Sequence, residues 1–426
     1  MKLAFINNAI NKARMQASPF TLRDITMTTT TRLHYLDAVR AYALLLGIVY
    51  HASLSFLPIF IGWAVMDIST SDWVSVFVFI SHAFRLEVFF LIAGFFSCMT
   101  LQKVGIKGFL TSRFTRIVLP FLLGWILLRP LLVSGWIMGA ESMQGEANII
   151  AALVTSFSDF KGLSMSLFVG THLWFLYYLT LATFLTLLLY LLQTKLSQFT
   201  PKLAGRMHFI LVHTLTRKGL YLLVIPLTTC CLWYMQHWGV DTPDKSLTPQ
   251  WPVLCLYSGF FLFGWVLFNH QKTLADFTKL SALKLGVWLC SCIAAVMLSR
   301  YQMQYMHEYY LQIKVAFVVS YAVMMWTSCM LFIGLFKEFA NKPITFTQKL
   351  ADTSYSLYLV HLPLVVWLQV AVAELTMPMI LKLFIICISA IAISLLIIES
   401  IKLLKNLFIN NSKSEPEKKV HAINKN

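Results

Sequence analysis

Acidic residues are scarce in this chain: 18 Asp and Glu among 426 residues, against 34 Lys and Arg. Charged residues of both signs make up 12%, about half of the roughly 25% usual in a soluble globular protein. That shortage excludes a solvated multidomain enzyme, a disordered tail protein and a nucleic-acid binder with an exposed basic face. Cysteine chemistry is missing too. The eight cysteines all lie in apolar runs, none forms C-x-x-C, and no Cys/His cluster has zinc spacing. They predict neither a disulfide framework nor a metal site. The N-terminus lacks a continuous apolar h-region and an A-x-A site, so it does not read as a secretory signal. No Ser stands in a G-x-S-x-G context, and no internal repeat or matched pair of broken helices is visible.

What is abundant is apolar: 58% hydrophobic residues, 14% aromatic, and a mean hydropathy of +0.72. Stretches long enough to cross a hydrocarbon core of roughly 30 Å recur about ten times, near 36–60, 75–101, 115–138, 172–193, 219–238, 252–269, 284–300, 314–336, 354–373 and 379–404. The sequence therefore predicts an all-α polytopic transmembrane bundle of about ten spans. Charge orients it. Lys2, Lys12, Arg14, Arg23 and Arg32 lie in a basic arm over 1–34, and Lys103, Lys107, Arg113, Arg116, Lys195, Lys202, Arg206, Arg217 and Lys218 follow in alternate loops. The intervening loops hold few bases, Lys382 among them, and acids such as Asp67, Asp72, Glu141, Glu146, Asp159 and Asp241. By the positive-inside rule both termini are predicted cytoplasmic. The chain thus divides into the arm over 1–34, a transmembrane body over 35–404 and a polar cytoplasmic tail over 405–426.

An ionisable side chain inside a membrane is costly and marks a cavity or a partner. On the first span Arg40 and His51 stand eleven positions apart, about 20° in direction and roughly 16 Å along the axis. Asp37 is placed to pair with Arg40, and Gly47, one turn before His51, leaves room beside the backbone. An interfacial ion pair plus a helix-bonded histidine is the bland alternative. The second span carries His82, Arg85 and Glu87; Glu87 points away from Arg85, whose acid is expected from Asp37 or Glu399. Arg113 and Arg116 at the entry of the third span form a phosphate site or, taken alone, ordinary anchoring. Arg129 reads as snorkelling. His172 opens the fourth span and either caps a cavity mouth or sits with Trp174 in an aromatic belt. Tyr358 and His361, followed by Pro363, suggest a cavity wall or an interhelical bond.

These residues resemble a family. Arg40-x10-His51, Arg113-x-x-Arg116 and SYSLYLVHLP are similar to the R-x10-H, R-x-x-R and S-Y-x-L-Y-L-x-H-x-P motifs of the membrane acyltransferase 3 family, in order across residues 33–405. FRLEVFFLIAGFFS, THLWFL and YLVHLP resemble the branch that succinylates periplasmic glucans. The chain departs from that branch at Leu362, where a second His is expected, and at Glu87, where an amide is expected. The resemblance implies O-acyl transfer from cytoplasmic acyl-CoA (succinyl-CoA or acetyl-CoA), without a metal, in a bacterial inner membrane. The acceptor is a hydroxyl of a periplasmic or lipid-linked glycan, and the partners are that glycan and membrane lipid, not nucleic acid. In this reading Arg113 and Arg116 hold the CoA phosphates and His51 is the general base. Asp37 and Arg40 order its helix. Arg85, His82, His172, Trp174, Tyr358, His361 and Glu399 are the cavity candidates. An exporter using the same residues as a relay is the alternative.

Overall fold

In hydrocarbon every backbone polar group needs a partner within the protein, and a long helix supplies one for each. The computed structural model describes residues 33–142, 147–158, 171–200 and 219–423. The arm over 1–32 with its five bases lies outside the described residues, as do Glu146, Asp159, Lys202, Arg206, Arg217 and Lys218. Among the described residues there is no strand. Thirteen α-helices follow in order: α1 (His34–Ser53), α2 (Asp72–His82), α3 (Arg85–Arg113), α4 (Leu119–Ser142), α5 (Ile149–Ser158), α6 (Trp174–Phe199), α7 (Gly219–Trp233), α8 (Trp251–Asn269), α9 (Gln271–Thr278), α10 (Ala282–Ser299), α11 (Tyr310–Phe339), α12 (Thr345–Val372) and α13 (Met379–Ile423).

Among the described residues eight helical segments are long and apolar enough to cross a membrane. One of them, Asp72–Ser142, is a continuous 71-residue run from α2 through α4 and contains two of the stretches read from the sequence. It kinks at Gly105, whose φ of 69° lies in the left-handed region that only glycine enters freely. A π-helical turn over Phe114–Val118 then joins α3 to α4. The apolar part of α7, Leu223–Trp233, falls short of a span. The chain is a multi-pass helical membrane protein.

Lipid tails are as apolar as leucine, so close packing of small residues is what draws such helices together. The most extensive contact is α3 against α8. There Gly94 and Gly264 let the two backbones touch: a Cβ at Gly94 would collide with the Phe261 carbonyl, and one at Gly264 with that of Leu91. α12 is the second organiser, packed against α1, α4 and α13. On the periphery α10 turns Leu283, Leu285, Leu289 and Ile293 outward. That apolar outer surface suits lipid.

The first span departs from its expected course. Helix α1 stops at Ser53 rather than near residue 60, and after the 3-10 turn Leu54–Phe56 the chain to Ser71 is irregular. This segment folds back onto the bundle: the Asp67 and Ser71 amides donate to the carbonyls of Ser55 (2.9 Å) and Phe56 (3.0 Å). Gly139 of α4 lies against the Ala64 backbone too closely for any side chain. Lys382, read above as a loop base, is fully buried (0% exposed) and pairs with Asp67 at 2.7 Å while donating to the Ala373 carbonyl at 3.0 Å. Asp67 also accepts from the Ser69 amide. An ion pair this enclosed holds only because each charge has its partner and extra hydrogen bonds.

Candidate active site

The turn-back places a roof over the last turn of α1. His51 stands there, half-buried, with the Trp63 ring stacked on it (centroids 5.7 Å, 17°) and Tyr50 edge-on at 5.2 Å. From the middle of α12 the His361 ring faces it at 5.6 Å, and His172 lies 5.7 Å beyond His361. Three imidazoles drawn from α1, α12 and the 3-10 turn Thr171–Leu173 thus form a chain. The backbone under His51 is held from α12: Gln369 Nε2 lies 2.9 Å from the His51 carbonyl and 3.0 Å from that of Ala52, while its Oε1 accepts from the Trp63 indole at 3.0 Å.

A missing amide explains how His172 is held. Pro363 sits inside α12 and has no N–H, so the Leu359 carbonyl four residues earlier loses its helical partner. His172 Nε2 fills the vacancy at 2.9 Å, and the Tyr358 hydroxyl donates back to the His172 carbonyl at 2.5 Å. His361 Nδ1 is 2.7 Å from the Tyr358 carbonyl. A carbonyl only accepts, so each contacting ring nitrogen carries the proton and the other nitrogen of each neutral ring keeps its lone pair. His172 Nδ1 and His51 Nδ1 are buried and have no hydrogen-bond partner among the described residues. His172 Nδ1 therefore presents a lone pair that calls for a donor, such as a hydroxyl, and His51 Nδ1 an unmet hydrogen bond.

Beside this chain lies a buried cation. Arg85 enters from the α2–α3 junction, its stem in the space that Gly47 leaves open. Its Cζ sits 4.0 Å from the Tyr50 ring centroid, and His82 stacks on that ring's other neighbourhood at 5.7 Å while reaching Thr242 Oγ1 at 3.2 Å. The Arg85 charge is close enough to act electrostatically on His51 and His361. Glu87, two residues on, is wholly enclosed (0% exposed) with neither oxygen hydrogen-bonded among the described residues.

Other predicted residues lie elsewhere. Arg40 contacts Asp37 at 3.7 Å and donates to the Ala351 carbonyl at 2.7 Å, tying the start of α1 to α12, far along the helix from the imidazoles. Neither Asp37 nor Glu399 meets Arg85; Glu399 is an exposed partner of Lys402 at 2.7 Å. Trp174 is buried against Tyr178 and Tyr257 rather than standing in a surface belt. Arg129 lies over the Trp125 ring. Arg113 and Arg116 diverge: Arg113 turns onto Thr100 (3.2 Å) and the Phe109 ring, whereas exposed Arg116 lines an open groove of about 600 Å³ with Lys107, Thr111, Ser112 and Thr115. Among the described residues no group of three or more His, Cys, Asp or Glu is placed to hold a metal ion.

Sequence reasoning passed over Tyr50, Trp63 and Gln369. Gln369 carried a signal, since an amide inside the apolar run VVWLQVAV has the same claim on a partner as a charge. Trp63 carried none, because its role depends on the chain turning back.

The described residues form a polytopic helical bundle that brings three imidazoles together in its interior and leaves a basic groove along the helical segment around Lys107 and Arg116. The Acyltransferase domain family (Acyl_transf_3) matches residues 33–399, and the chain belongs to that family. Glucans biosynthesis protein C of Escherichia coli K12 is 32% identical over 152 residues, 36% of this chain and 37% of the relative. The protein of the same name from Escherichia coli O1:K1 / APEC matches to the same extent. The match spans a little over a third of the length of these curated relatives. No solved structure matches.

Proposed function

We propose that this protein is a membrane O-acyltransferase that moves an acyl group, succinyl or acetyl, from cytoplasmic acyl-CoA to a hydroxyl of a periplasmic or envelope glycan. The observation that carries the reading is the His51 imidazole, half-buried beside His361, with a free ring nitrogen and the Arg85 charge nearby. The acceptor hydroxyl donates to His51 and its oxygen attacks the thioester carbon. The attack gives a tetrahedral oxyanion. Its collapse breaks the C–S bond, and the leaving thiolate takes the proton from His51 to give free CoA. Asp37, Arg40 and the Ala351 carbonyl fix the far end of the same helix.

The donor's phosphates belong in the groove that Lys107 and Arg116 share with Thr111, Ser112 and Thr115, where charge-assisted hydrogen bonds are available. Arg113, beside the groove, is held by Thr100 and the Phe109 ring. By the charge distribution this end is cytoplasmic, and the imidazoles are reached from it by the thin pantetheine arm.

Purified protein in lipid nanodiscs, given acyl-CoA labelled in the acyl group and a β-linked gluco-oligosaccharide, is expected to move the label to the sugar. An exporter using the same residues leaves the label on CoA. The double substitution Arg113→Ala with Arg116→Ala is expected to raise the donor KM on the order of tenfold, with a smaller change in kcat. An unchanged donor KM removes the groove from the donor site.

A further inference from the structure

Arg85 is a buried cation with no acid in direct ion-pair contact among the described residues. The side chain is 5% exposed, and its Nη1 has no hydrogen-bond partner among the described residues. Asp37 pairs with Arg40, Asp67 with Lys382, Asp241 with His237 and Glu399 with Lys402. Glu87 lies within electrostatic reach of Arg85 but makes no ion pair with it: it leaves α3 two residues later, about 200° around the helix, and Tyr257, Tyr321 and Cys329 are among its other electrostatic neighbours. A second buried donor lies close by: the Tyr257 hydroxyl is without a partner and within electrostatic reach of Arg85. The Tyr50 face supports the guanidinium but leaves Nη1 unmatched.

A cation withdrawn from water is retained where an anion completes it. The CoA phosphates stay at the rim groove, so the anion that can reach the depth of His51 is one carried by the travelling acyl group. We propose that Arg85 is a specificity residue that receives the terminal carboxylate of a dicarboxylic acyl group while its thioester end lies at His51. This rests on the acyltransferase reading above. The Tyr257 hydroxyl is placed to serve the second carboxylate oxygen, and Gly47 keeps the Arg85 stem in position from α1. A planar guanidinium suits a carboxylate better than a lysine ammonium does.

The test compares succinyl-CoA with butyryl-CoA, which has the same carbon count and no terminal charge, on full-length protein in nanodiscs. The wild type is expected to favour succinyl-CoA in kcat/KM. Arg85→Gln is expected to lower the ratio of the two values on the order of 100-fold, the scale of a charge-assisted pair, and Arg85→Lys to restore part of it. An unchanged ratio in Arg85→Gln overturns the proposal, and equal losses on both donors assign Arg85 to the oxyanion instead. A binding measurement stands apart from turnover: monomethyl succinate is expected to raise the thermal stability of the wild type where methyl butyrate does not. Equal responses to the two esters overturn the proposal without any variant. A wild type that transfers neither acyl group overturns the acyltransferase reading, and the ester comparison still decides the role of Arg85.

Discussion

His51→Ala is expected to abolish acyl transfer, with kcat/KM falling about 10²- to 10⁴-fold, the range that a positioned general base contributes. The membrane-inserted yield and the thermal unfolding of the variant are expected to stay close to those of the wild type. The reason lies in what holds this turn. Gln369 binds the backbone carbonyls of His51 and Ala52 rather than the ring, and alanine is the best helix former. The ring itself is half-buried against Trp63, Tyr50 and His361. Its loss removes ring contacts, and the ring's Nδ1 has no hydrogen bond to lose among the described residues. Retention of full activity in a folded variant removes His51 from the chemistry; aggregation of the variant redirects the test to His51→Gln, which keeps volume and polarity but is no base.

The second large effect concerns stability. Lys382→Met leaves Asp67 charged and enclosed without its cation, a defect that costs about 3–5 kcal/mol. Thermal unfolding in detergent is expected to show that loss, and Asp67→Asn combined with Lys382→Met is expected to recover most of it. The pair anchors the irregular segment whose Trp63 covers His51, so the single variant is also expected to lose activity at temperatures where the remaining bundle is still helical. A single variant that unfolds like the wild type means the pair contributes nothing to that anchor.

The second effect comes from the segment that hydropathy misread, whose Trp63 also covers His51. The run SFLPIFIGWAVMDIST is apolar enough to extend a transmembrane helix, yet it leaves the helix at Ser53. Pro58 and Gly62, the latter with φ of 81°, were the local warnings. Hydropathy measures how apolar a stretch is and does not distinguish a helix from an irregular chain wrapped by other helices. Bundle architecture was legible because apolar stretches of such length have few other folds available. The imidazoles at 51, 172 and 361 were legible as costly groups, each needing a reason. Their meeting was not, because the lateral order of helices leaves no trace in a hydropathy pattern. The same gap explains Arg85: its sequence called for an acid from Asp37 or Glu399, and the fold gave it the Tyr50 ring. Arg113 and Arg116, one turn apart on paper, stand on either side of the start of the π-helical turn and point to different partners.

The bond from His172 to the Leu359 carbonyl joins two positions nearly two hundred residues apart in the chain. It exists because proline 363 leaves that oxygen unclaimed by its own helix. Any transplant of this centre into another scaffold must therefore carry the imino acid and the distant imidazole together: moved singly, the ring arrives with nothing to grip, or the helix keeps an oxygen that nothing answers.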